Sequence, residues 1–243
     1  RSTDTDWLDE MTQTGLTMEH VVSLNGGNEK TKFFVSGSYL KQDGILKESG
    51  LTRYSGRVNL DHKLNKRVDL GISMNIGYTD SKFSDPDSGE GRQGWNNPFF
   101  TALLAYPYEN PDDWYNKDNP TLITKYFTNN KGLLRLVGSG YLNVKITDWL
   151  KFKTNFGMDY YGRKTMSTLD REHPVASSNK GYMSQSTSAM RRYTWTNTLN
   201  FNKVFKEIHY LSGVAGFEMY DGVYSAFSQT GYDLDKFMNQ SPA

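Results

Sequence analysis

RYSGRVNLDHKLNKRVDLGISMNIGYT, Arg53–Thr79, is the stretch whose reading decides the fold. In its first half Tyr54, Gly56, Val58, Leu60, His62 and Leu64 alternate with Arg53, Ser55, Arg57, Asn59, Asp61 and Lys63. In its second half Val68, Leu70, Ile72, Met74, Ile76 and Tyr78 alternate with Arg67, Asp69, Gly71, Ser73, Asn75, Gly77 and Thr79. A period of two held this long makes strands with one apolar and one polar face. Each run exceeds the five or six residues usual for a soluble strand, and at about 3.3 Å per residue it reaches about 40 Å. Such ribbons suit a large antiparallel soluble sheet or the wall of a transmembrane barrel.

The same alternation recurs on both sides. Upstream, a strand over His20–Asn25 and a turn at Gly26–Glu29 lead to Lys32–Leu40, where Phe33, Val35, Gly37 and Tyr39 share a face. Downstream, strands are predicted over Arg135–Thr147, Leu150–Tyr160, Tyr193–Asn202 and His209–Val223. That makes about eight strands in four hairpins. Connections near 26–30, 65–66, 148 and 205–208 are short, whereas those near 42–52, 81–131 and 164–189 are longer. If the strands pass up and down through a slab, all short turns fall on one side and all long loops on the other. This is the periplasmic-turn, extracellular-loop asymmetry of outer-membrane barrels, and a soluble meander has no reason to sort its loops this way.

Composition agrees with that reading without deciding it. The 243 residues include 16 Tyr, 13 Phe and 5 Trp, yet mean hydropathy is -0.69. An apolar lipid face combined with a polar lumen and loops gives that mixture, and so does a carbohydrate-binding sheet. No apolar run approaches the eighteen or so residues of a membrane helix. The net charge of +1 leaves no nucleic-acid footprint, and the absence of cysteine removes disulfides and thiolate metal sites. The chain opens on Arg1 and is read as an internal fragment of a longer protein.

The connection 81–131 carries Pro86, Pro98, Pro107, Pro111 and Pro120 and many aromatic residues. A segment this long is usually functional, and a disordered linker would be poor in aromatics. Trp95, Tyr106, Trp114 and Tyr115 are its candidate contacts to a ligand or a lid, by stacking and edge hydrogen bonds. The other use for these four is packing the loop onto a barrel mouth. Tyr54, Tyr78, Trp149, Tyr160 and Tyr193 lie near strand ends and read as an interfacial girdle.

No catalytic constellation emerges, so the chain is read as no enzyme and without a cofactor. His20, His62, His173 and His209 form no close ligand pair. Asp85–Glu90 resembles the start of a calcium loop but lacks the later acidic position. The glycines lack phosphate-loop spacing.

Longer stretches carry a family resemblance. Thr5–Glu10, Ser23–Tyr39, Asp43–Lys47 and Arg53–Asp61, then Asn97-Pro98, Trp149–Phe152 and Tyr193–Leu199, resemble in order the SusC/RagA-like TonB-dependent outer-membrane transporters of Bacteroidetes. The resemblance implies a section of a 22-stranded barrel with its plug domain lying outside this chain. Residues 1–19 would be a lead-in after the plug, and 20–243 a wall segment with the extracellular loop 81–131. It further implies uptake of oligosaccharides or oligopeptides, a SusD-like lipoprotein lid, energy from the TonB complex, and residence in outer-membrane lipid. On parity, Arg53, Arg57, Asn59, Asp61, Asp69, Asn75, Lys151, Lys153 and Asp159 are then expected to face the lumen, since charge is costly in hydrocarbon. The competing expectation is a secreted or surface sheet protein that binds glycans through its aromatic loop. It requires the apolar face to be sealed in a dry interior.

Overall fold

A computed structural model describes residues 4–82, 98–113 and 119–234. A short helix α1 (Trp7–Met11) precedes four strands, β1 (Thr17–Gly27), β2 (Thr31–Asp43), β3 (Gly50–Lys63) and β4 (Val68–Lys82). Helices α2 (Pro98–Leu104) and α3 (Pro120–Tyr126) lie in the long connection. They are followed by β5 (Phe127–Lys145), β6 (Leu150–Leu169), β7 (Tyr182–Phe205) and β8 (His209–Tyr232). All eight strands form one antiparallel sheet in sequence order. The all-β reading is therefore correct, and the expected hairpins are the observed ones.

Register decides which side chains share a face. Leu24 pairs with Val35 and Val35 with Val58. Val58 pairs with Met74, Met74 with Gly138, Gly138 with Met158 and Met158 with Tyr193. No strand slips by one residue, a shift that would invert all its side chains. One apolar face therefore runs unbroken across the sheet. It is open: Ile72 is 51% and Met74 40% exposed. The dry interior required by a self-contained glycan-binding sheet is absent among the described residues.

The apolar face is a band with marked edges. His20, Tyr39, Tyr54 and Tyr78 stand directly opposite one another on β1–β4. The Tyr39 and Tyr54 rings lie 5.3 Å apart. Toward the short turns the band ends near His62, whose Nδ1 meets Thr31 Oγ1 at 2.7 Å, and near Trp149, 5.4 Å from the Phe201 ring. From Val68 to Tyr78 the strand advances about 33 Å, which a tilt near 40° reduces to about 25 Å. That is the height of an outer-membrane barrel's apolar belt.

The upper strands are longer than sequence periodicity indicates. β5 begins at Phe127 rather than Arg135, β6 continues to Leu169 rather than Tyr160, and β7 begins at Tyr182 rather than Tyr193. β7 and β8 have 24 residues each, about 80 Å, far more than a belt needs. The added length is polar on both faces, as in Thr165–Thr168 and Ser184–Ser188, because there both faces meet water. Backbone pairing continues while the period-two signal stops.

Buried side chains gather at the long-connection end. Trp7, Met11 and Ala102 form one cluster, and Ile123, Phe127, Leu169 and Ala176 another. β1 starts at this end, so α1 and residues 4–16 belong to it, with Thr17 already in the sheet. The connection expected at 81–131 narrows to 83–126.

Substitution across the two faces tests the placement of the band. Met74→Arg should cost the intact protein about 2–4 kcal/mol of stability in a bilayer, as expected near a belt's midplane. The neighbouring Asn75→Arg should cost less than about 0.5 kcal/mol, as for a substitution that buries nothing. Urea titration in lipid vesicles measures both.

Candidate functional site

The residues expected on the lumen side do share one face. Arg57 pairs with Asn75, and Asn75 with Val137, which pairs with Asp159. Asn59 pairs with Ser73, and Asp69 with Asn143, which pairs with Lys153. Asp61 and Lys151 follow by the same parity, as does Arg53 opposite Thr79. All nine therefore lie opposite the apolar band.

Hydrogen bonds knit this face across strands. Tyr141 Oη donates to Asp61 Oδ1 at 2.6 Å, Asn143 Nδ2 to Asp69 Oδ2 at 2.7 Å, and Ser73 Oγ to Asn59 Oδ1 at 2.8 Å. Arg135 lies 3.7 Å from Asp159, and Arg53 lies 3.9 Å from Glu19. Near the short turns a cavity of about 410 Å³ opens between Arg67, Asp69, Asn143, Lys151 and Lys153. Among the described residues no carboxylate lies within 4.0 Å of Arg57, Lys151 or Lys153. These cations are solvated groups on an open surface. The surface can hydrate and steer a polar solute. Among the described residues no group of three or more His, Cys, Asp or Glu could hold a metal ion.

The second feature is the packed shelf at the long-connection end. Asp6 caps α1, accepting from the Leu8 and Asp9 amides at 3.1 Å. Trp7 is buried to 4% exposure, and its Nε1 donates to the Tyr106 carbonyl at 2.9 Å. Thr5 donates to the Pro107 and Glu109 carbonyls at 2.8 Å. From the other side, the Lys47 amide donates to the Met11 carbonyl at 2.9 Å. The lead-in thus clamps the stretch after α2 and leaves the Tyr106 ring exposed, stacked on Tyr108 at 5.2 Å. Trp95, Trp114, Tyr115 and the Asp85–Glu90 stretch lie outside the described residues. Sequence reading missed the helices of this connection, although Asn119-Pro120 is a cap followed by proline at the first helical position. Asn119 Oδ1 accepts from the Thr121 amide at 3.0 Å, and Nδ2 donates to the Pro111 carbonyl at 2.8 Å.

Comparisons with known proteins follow this geometry. No family model matches the chain. A TonB-dependent receptor of Formosa agariphila is 25% identical over 214 residues, 88% of this chain and 20% of the receptor. The TonB-dependent receptor SusC of Bacteroides thetaiotaomicron is 37% identical over 139 residues, 48% of this chain and 13% of SusC. The solved RagAB peptide transporter superposes with a TM-score of 0.73 at 22% identity, covering 97% of this chain and 28% of that one. The closed-closed RagAB peptide importer gives 0.72 at 23% identity over the same shares.

The chain is homologous to SusC/RagA-type TonB-dependent receptors. Its sheet matches part of the larger SusC/RagA-type barrel, and its setting is the Gram-negative outer membrane. It spans about a fifth of the length of the Formosa receptor. The open apolar face runs along the strands, and the packed shelf lies beyond its long-connection end.

Two predictions concern the shelf. Trp7→Ala removes a buried aromatic side chain and should cost the shelf about 3–5 kcal/mol locally, seen as faster proteolysis within 98–113. Burial pushes the His173 imidazole below its ordinary value, with Asp170 opposing. The folded cluster therefore favours neutral His173. That stabilisation is full above the free-imidazole range and is lost as pH falls toward the depressed value. Hydrogen exchange over 120–127 and 169–182, corrected for intrinsic rates, should quicken from pH 7 to pH 5, and His173→Gln should abolish the change.

Proposed function

We infer that the chain is a wall section of a TonB-dependent importer of oligosaccharides or oligopeptides. The observation that carries this reading is the unbroken parity: eight strands present one apolar face and one hydrogen-bonded polar face, and among the described residues the apolar face is not sealed in a core. In a closed barrel the hydrated face lines the lumen, where Arg53, Arg57, Asn59, Asp61, Asp69, Asn75, Lys151, Lys153 and Asp159 meet water, plug or passing solute. An importer moves its solute unchanged and needs no catalytic group.

Energy would come from the TonB complex through parts of the polypeptide outside this chain, and a SusD-like lipoprotein would close the outer mouth. The clamped shelf suits that lid: α1 fixes the stretch after α2 while Leu103, Leu104, Tyr106 and Tyr108 stay exposed. In this reading residues 4–16 reach the first strand from the outer side. Trp95, Trp114 and Tyr115 keep their proposed role of gripping solute or lid.

The test is uptake by cells carrying the full-length receptor. Deleting the receptor, or removing TonB, should abolish uptake of a labelled oligosaccharide or oligopeptide pool. Tyr106→Ala with Tyr108→Ala should lower lid co-purification about tenfold while the barrel still assembles. Undiminished uptake in both deletion strains contradicts the importer reading.

A further inference from the structure

On the face bearing the apolar band, the strands continue past the tyrosine row and the chemistry changes within one step. Asp80 stands opposite Gly132, Gly132 opposite Lys164, and Lys164 opposite Thr187. A cavity of about 400 Å³ opens at this level. Its floor is low because Gly132 and Gly162 have no side chain. The tyrosine rings lean over both: a Cβ on Gly132 would meet Tyr78 Oη at 3.1 Å, and one on Gly162 would meet Tyr160 Oη at 2.7 Å. Both phenol hydroxyls therefore reach out of the band toward the cup. Asp80 and Lys164 flank Gly132 two strand spacings apart, about 10 Å, and form no ion pair within 4.0 Å. Asn130 and Gln185 complete the rim away from the band.

We propose that this cup binds the sugar head group of a glycolipid in the outer leaflet of the surrounding membrane. A pyranose offers hydroxyls to a carboxylate, amides and phenols and lays its apolar face on an aromatic ring, and the cup supplies each of these. Lys164 takes an anionic substituent such as a sugar phosphate, as a point charge. Position selects the occupant. Directly below the cup the face runs apolar through Tyr78, Ile76 and Met74, which gives acyl chains a continuous surface and gives a free sugar nothing. The cup lies on the side away from the hydrated face and so takes no part in import. The assignment rests on the apolar face meeting lipid, which the Met74→Arg and Asn75→Arg comparison tests independently.

The experiment is native mass spectrometry of the full-length receptor in mild detergent. The added probes are a rough-type lipopolysaccharide, phosphatidylglycerol, or the delipidated core oligosaccharide. The lipopolysaccharide adduct should survive collision energies that strip phosphatidylglycerol, and the free oligosaccharide should bind at least tenfold more weakly. Lys164→Glu and Thr187→Trp, both at exposed positions, should each reduce lipopolysaccharide retention at least tenfold. Unchanged retention in both variants, equal retention of phosphatidylglycerol, or equally tight binding of the free oligosaccharide would overturn the proposal.

Discussion

The constraint on which this structure depends is the backbone ladder held in one register across eight strands. Paired residues share a side of the sheet, so the apolar row from Leu24 through Val35, Val58 and Met74 stays on one face and Arg57 and Asn75 stay on the other. On the barrel-wall reading, a slip of one residue would put Arg57 or Asp69 into hydrocarbon and Val58 or Leu70 into the lumen, at a few kcal/mol for each charge. The sheet needs no packed core of its own, because the ladder satisfies its backbone groups and lipid covers its apolar side. Open greasy side chains, which would mark an aggregation hazard in water, are here the membrane belt.

Legibility in the sequence follows from that same asymmetry. Arg53–Thr79 reads as a hairpin because one face meets lipid and the other water, so polarity alternates with the pleat. Beyond Tyr160 and before Tyr193 both faces meet water, and Lys164, Ser167, Gln185 and Ser186 carry no alternation although their backbones still pair. The strands there were invisible to periodicity for a physical reason. That the polar set from Arg53 to Asp159 shares one face is fully legible, since parity alone groups it. The shelf was not. The Trp7 bond to the Tyr106 carbonyl spans 99 positions, and no local pattern announces a contact of that range. The cup at Gly132 and Gly162 was equally hidden, because it arises from glycines on adjacent strands.

Stability is divided between the two ends. Short turns need only local chemistry: Asn65 Oδ1 accepts from the Arg67 and Val68 amides at 2.8 and 3.0 Å, and Asn28 does the same for Lys30 and Thr31 at 2.8 Å. The far end instead buries Trp7, Met11, Ile123 and Leu169 among helices and strand tips. Among the described residues the buried clusters all lie at that end. The proposed recognition surface and the apolar band thus fall on separate parts of the same fold.

The most direct test of the account is a spin-label scan through residues 68–79 of the full-length receptor in lipid bilayers. Oxygen, enriched in lipid, should broaden the signal at Leu70, Ile72, Met74 and Ile76, and a water-soluble relaxer should do so at Asp69, Ser73 and Asn75. A flat profile or the opposite alternation would contradict the assignment of the two faces, and with it the barrel-wall reading.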